Sequence, residues 1–110
     1  MHPVRSAGPV DRYRAQAAVP QPSFCYSIQA TAEVGVLARL LEICAKRGLV
    51  PSRLHSDLAP ERDELTIDIQ LAAIDPAYGE QMARSMREVV GVLQVLTAIK
   101  SAAEPLALSA

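Results

Sequence analysis

Twice along this chain the spacing of apolar residues switches from the two-residue period of a strand to the 3.6-residue period of a helix, and both times it switches back. That alternation constrains the fold more than any single residue does. Phe24, Tyr26, Ile28 and Ala30 alternate with Cys25, Ser27, Gln29 and Thr31, which predicts a half-buried strand. After a corner at Thr31–Leu37, Val36, Leu37, Leu40, Leu41 and Cys44 share one helical face, with Arg39, Glu42, Lys46 and Arg47 elsewhere. Lys46 and Arg47 suit the negative end of the helix dipole, and Gly48 is a left-handed terminator.

Val50 to Leu58 reads as a weaker strand, because Pro51 cannot donate a ladder hydrogen bond. Leu54, Ser56 and Leu58 share one of its faces, and Arg53, His55 and Asp57 share the other. Ala59–Asp63 is a polar hairpin loop. Leu65, Ile67, Ile69 and Leu71 then alternate with Glu64, Thr66, Asp68 and Gln70, the cleanest strand pattern in the chain. Asp75–Pro76 is an N-cap acid followed by proline at the first helical position. The helix it opens is expected to run to about Val90, with Met82, Met86, Val89 and Val90 inward, and to end at Gly91. Val92 to Ile99 is the last strand.

The order strand, helix, strand, strand, helix, strand predicts an α+β, ferredoxin-like βαββαβ fold: a four-stranded antiparallel sheet with both helices on one face. With 110 residues, half of them apolar, the chain can bury one core. Residues 1–22 carry Pro3, Pro9, Pro20 and Pro22 and few large apolar groups, so they are expected to form a flexible tail, with at most a short helix at Val10–Val19. The folded domain is expected at residues 23–100, followed by a tail at 101–110.

Several functions are disfavoured by composition and placement. Eleven basic against twelve acidic residues leave a formal charge of −1, without the basic surplus of a nucleic-acid footprint. Phe24 and Tyr26 share the Ile28 side of their strand, so they are not placed as a base-stacking platform on the open sheet face. No apolar run is long enough for a membrane-spanning helix, and the N-terminus has no signal-peptide core. A cytoplasmic location is therefore expected. Cys25 and Cys44 form no metal-binding spacing with the histidines and read as reduced thiols. His55-Ser56-Asp57 is not read as a catalytic triad, because neighbouring strand residues point to opposite faces. No catalytic residue, metal site or cofactor is expected, and the chain is read as a non-enzyme.

The corner is the candidate ligand position. A helix begins with amide groups that need acceptors, and here only Thr31 or Glu33 could supply a side-chain oxygen. Gly35 permits close approach to the backbone, and a carboxylate would be favoured at the helix mouth. Ala32, Glu33, Val34, Gly35, Val36 and Leu37 are the candidate site residues. The alternative is that Thr31 or water satisfies the amides and Gly35 serves only packing.

From Phe24 to about Ile99 the chain resembles an ACT domain, the βαββαβ module attached to enzymes of amino-acid metabolism. The run AEVGVLARLLEICAKRGLVPSRLHS is similar in particular to the small regulatory subunit of acetolactate synthase. Gly35, Val36 and Leu37 match that family's helix start, and Arg47, Gly48 and Leu49 match its helix end. The corner departs from the family pattern: Ala32, Glu33 and Val34 stand in place of asparagine, arginine and proline. In the family that asparagine helps hold the amino-acid effector. The shortest small subunits, from valine-insensitive enzymes, lack this corner too. The resemblance implies a side-by-side homodimer with ligand positions at its interface. It also implies a regulatory role on a thiamine-diphosphate-dependent catalytic subunit in branched-chain amino-acid biosynthesis. A free-standing homodimeric ACT domain that senses an amino acid or other small metabolite is the alternative.

Overall fold

The computed structural model describes residues 22–101; the expected tails, with the short helix at Val10–Val19, lie almost wholly outside them. The elements are β1 (Ser23–Thr31), α1 (Val36–Lys46), β2 (Arg53–Ala59), β3 (Glu64–Leu71), α2 (Pro76–Arg87) and β4 (Val92–Lys100). A 3₁₀ turn at Pro60–Arg62 joins β2 to β3. The strands form one antiparallel sheet in the order β2-β3-β1-β4. This is the expected ferredoxin-like arrangement.

Register explains which residues make the core. Phe24, Tyr26 and Ile28 of β1 lie opposite Leu71, Ile69 and Ile67 of β3, and all six are buried. Because side chains alternate along a strand, this pairing puts one apolar layer beneath the helices. Val36, Leu40 and Cys44 of α1 and Met82, Ala83 and Met86 of α2 close over that layer. Their spacing of three or four residues is the periodicity of one helix face. Leu37 and Ile43 pack partly buried at the margin of the same core.

One local and two long-range contacts seat α2. Asp75 caps it, its Oδ2 accepting from the Tyr78 amide at 3.2 Å, with Pro76 at the first helical position. Gly79 lies directly over the Phe24 ring: a Cβ there would come within 2.6 Å of ring carbons. The buried Tyr26 hydroxyl donates to the Gly79 carbonyl at 2.9 Å. Gly79 thus lets helix backbone rest on an aromatic pair whose ring centroids are 5.2 Å apart.

Some boundaries differ from the sequence reading. β2 begins at Arg53 rather than Val50, because Pro51 has no amide to donate; the Ser52 amide and hydroxyl both bond the Gln70 carbonyl just before the strand. The second helix stops at Arg87 rather than about Val90. A turn over Glu88–Gly91 follows, in which the Val92 amide donates to Val89, and Gly91 has a φ of 100°. That turn carries Val90 out to solvent, so the expectation that it packs inward is corrected. Gly48 does terminate α1, with a φ of 70°, its own amide bonding Ala45 and the Leu49 amide bonding Cys44.

The helices leave the other sheet face open. Cys25, Ser27 and Gln29 of β1 pair there with Gln70, Asp68 and Thr66 of β3. β2 is unlike the other strands, since none of its residues is buried.

Candidate functional site

The corner between β1 and α1 is built from three segments. The Thr31 amide donates to the Gly91 carbonyl at 2.8 Å, and its hydroxyl lies 3.4 Å from the same oxygen. The Ala32 amide donates to the Asp63 carbonyl at 3.1 Å. The corner is therefore held between the Pro60–Asp63 turn and the turn before β4. Asp63 accepts this position with a φ of 54°, a left-handed conformation that aspartate tolerates better than most residues.

Six residues were singled out here, and the structure gives them different roles. Ala32 is half-buried and fixed by its amide. Glu33 is exposed, and its amide turns back to the Thr31 carbonyl at 2.8 Å. Val34 is fully exposed at the tip. Gly35 is the N-cap, with an ordinary φ of −89°. Val36 is buried in the core and its amide bonds Glu33, so its side chain is not available to a ligand. Leu37 packs at the core's edge. Of the six, only Glu33 and Val34 are exposed.

No side chain caps α1, so neither Thr31 nor Glu33 performs the capping role available to it. At Gly35 the backbone has a side-chain neighbour. The guanidinium of Arg39 folds over it, with atoms 3.1–3.3 Å from where a Cβ would lie. Arg39 is the functional candidate that sequence reasoning missed. The available signal was its position four residues after Gly35, one helical turn along the same face. A guanidinium at the positive end of a helix is electrostatically unfavourable by itself and favours an anion nearby. Across the corner, a Cβ on Gly91 would lie 3.6 Å from Glu33 Oε1. The mouth of α1 thus combines uncapped helix amides, an exposed cation and a carboxylate.

The open sheet face carries His55 and Asp57 side by side on β2. His55 Nε2 and Asp57 Oδ2 are 3.1 Å apart, as expected for side chains on one strand face, but both are exposed, and among the described residues no hydroxyl or thiol is hydrogen-bonded to either. Ser56 lies on the opposite side of β2, in register with the buried Ile67. Cys25 and Cys44 are free thiols on opposite sides of the sheet, the first half-buried on the open face and the second buried in α1. Burial pushes both thiols up, with Lys100 drawing Cys25 partly back and Arg47 doing the same for Cys44. Neither has the lowered pKa of an activated nucleophile. Among the described residues no group of three or more His, Cys, Asp or Glu side chains could hold a metal, and no helix is long and apolar enough to cross a membrane.

Comparison with known proteins gives a consistent picture. A family model described as an ACT-like domain matches residues 17–104. No curated protein matches the chain in sequence. Among solved structures, the ACT domain from GTP pyrophosphokinase of Chlorobium tepidum is similar at a TM-score of 0.60 and 12% identity, covering 69% of this chain and 96% of that one. The C-terminal domain of the MgtC protein from Mycobacterium tuberculosis is similar at 0.58 and 15% identity, covering 76% and 92%. A formyltetrahydrofolate deformylase from Pseudomonas syringae pv. tomato is similar at 0.61 and 9% identity; the match covers 80% of this chain but 30% of that enzyme. At these identities the likeness is one of fold.

Proposed function

The chain belongs to the ACT-like domain family, and from that premise we propose that it is a non-catalytic regulatory domain that responds to a small amino acid at the mouth of α1. The observation that carries this reading is Arg39 lying across the uncapped helix start, within one corner of Glu33. A zwitterion has the matching charges. Its carboxylate would lie against Arg39 and the helix amides, and its ammonium against Glu33. Exposed Val34 would supply apolar contact.

The partner favoured by the sequence resemblance is the catalytic subunit of acetolactate synthase, through Gly35-Val36-Leu37 and Arg47-Gly48-Leu49. Regulation would then act by protein contact. Co-purification of this chain with a large acetolactate synthase subunit, together with altered activity of that subunit, tests this reading. No binding and no effect on activity would exclude it.

A free-standing homodimeric sensor is the second reading, favoured by the exposed β2 edge. Leu54 and Leu58 are 45% and 60% exposed on the helix side of an unpaired edge strand. An antiparallel pairing of two β2 strands about Ser56 would put Leu54 opposite Leu58 of the second copy. On the other face, His55 would meet Asp57 of the second copy. Both pairs recur through the two-fold axis, which suits an isologous interface. A thermal-shift screen against the L-amino acids tests effector binding, with Arg39→Ala as the control. Stabilisation lost in that variant is expected; no shift with any amino acid would remove the effector from either reading.

A further inference from the structure

The uncovered sheet face contains a hollow of about 430 Å³, remote from the corner at the mouth of α1. Its shape follows from side-chain size. Cys25 and Ser27 on β1 and Ala98 on β4 give a low floor, while Arg53 on β2 and Lys100 on β4 rise at its two sides. The volume falls within the roughly 300–1,000 Å³ of small-molecule sites.

The charged groups lining this hollow differ in their partners: His55 is paired with Asp57, whereas Arg53, Asp68 and Lys100 have no ion-pair partner among the described residues. Most other basic side chains of the described residues are engaged: Lys46 with Glu42, Arg62 with Glu61 and Glu64, Arg47 and Arg87 with backbone carbonyls. Among the described residues Arg53 and Lys100 take part in no such ion pair or hydrogen bond, a property they share with Arg39 and Arg84, and neither does Asp68 between them. Lys100 is close enough to influence the Cys25 thiol from one side, and Asp68 influences it from the other. Two separated cations, one carboxylate and the His55 imidazole therefore line a cavity floored by small side chains, of which Cys25 and Ser27 can hydrogen-bond.

We propose that this hollow binds a small dicarboxylate bearing a hydroxyl or ammonium group, with Arg53 and Lys100 each taking one carboxylate and Asp68 accepting the donor. The two cations stand on opposite edge strands, about three strand spacings or ~14 Å apart across the sheet, Lys100 lying two residues beyond the Ala98 that is in register with Arg53, and both line the hollow. A single carboxylate could engage only one of them well. The residual charge of the three groups is +1, which matches an amino-dicarboxylate and attracts a hydroxy-dicarboxylate. Ser27 and Cys25 provide further hydrogen-bonding atoms at the floor.

Amide NMR titration of the full chain with L-malate, L-aspartate and succinate at millimolar concentrations tests the proposal. Malate and aspartate are expected to give saturable shifts at Cys25, Ser27, Asp68 and Ala98. Succinate, which lacks the donor for Asp68, should bind more weakly. Arg53→Ala and Lys100→Ala should each weaken malate binding about tenfold, the scale of one lost charge-assisted hydrogen bond. Lys100→Arg should retain it, and the dispersion of each spectrum reports that the variant is folded. The proposal is overturned by an absence of saturable shifts, by shifts that sodium chloride of equal ionic strength reproduces, or by equal binding of succinate and malate. Shifts confined to residues 31–39, or unchanged by both alanine variants, overturn it as well. Because Arg39→Ala disables the corner and leaves this face intact, failure here is distinguishable from failure of the amino-acid reading.

Discussion

Gly79 and Gly35 show how the same residue type carries different constraints. Sequence reading placed Gly79 inside a helix, where alanine would ordinarily gain about 1 kcal/mol of propensity. The Phe24 ring 2.6 Å from the missing Cβ reverses that sign. Gly79→Ala should destabilise the fold by about 1–3 kcal/mol through overpacking, seen as a lower denaturation midpoint in urea. Gly35→Ala meets only the flexible end of Arg39 at an ordinary φ, so its midpoint should move by no more than about 0.5–1 kcal/mol. Tyr26 sets a pH limit by the same logic of burial. Its hydroxyl is buried and donates to Gly79, so its pKa is pushed up, chiefly by burial with small additions from Cys44 and Glu80. The unfolded chain ionises Tyr26 near pH 10 while the folded chain does not. The folded-state pKa being the higher, its contribution is complete below about pH 10 and is lost as pH rises beyond it. Urea midpoints measured across that range should fall with increasing pH, and less steeply in Tyr26→Phe.

At the scale of elements, the helices and the two central strands were legible because each combines a clear period with an end signal. Asp75-Pro76 is the clearest such signal, and Asp75→Ala should cost about 1 kcal/mol, measurable as a lower melting temperature. The end of α2 was not legible, since Val89 and Val90 continue the apolar pattern after Arg87. The turn there is imposed by β4, whose Val95 carbonyl accepts from Arg87 Nη2 at 3.0 Å. Thr97 completes the clamp, donating to Glu80 at 3.0 Å. Such contacts between α2 and β4 join residues distant in sequence and leave no local trace. Arg39 over Gly35 was obscured differently. Its spacing was visible, but a long exposed arginine has many rotamers, and only the packed corner shows where its guanidinium rests.

For the whole molecule, the decisive asymmetry is that α2 is tied to β4 while β2 lies outside the helices' cover. Exposed apolar side chains on an unpaired edge strand favour association. Leu54→Lys combined with Leu58→Lys should convert the proposed dimer to a monomer in light scattering. Both side chains are already substantially exposed, so the melting temperature of the monomeric variant should remain that of a folded domain. A wild-type chain that is monomeric at high concentration would contradict the β2 pairing.

The sequence by itself determined the order of elements, the two helix starts, and which strand faces turn inward, because periodicity and capping are local properties. From these came the ferredoxin-like topology and the placement of Phe24, Tyr26 and Ile28 beneath the helices. Tertiary structure alone decided what surrounds the sites. It carried Val90 out of the core, laid Arg39 over Gly35, and brought Arg53, Asp68 and Lys100 from three strands around one hollow. Those groupings depend on register and on the lengths of side chains meeting across the sheet, which no window along a single segment contains.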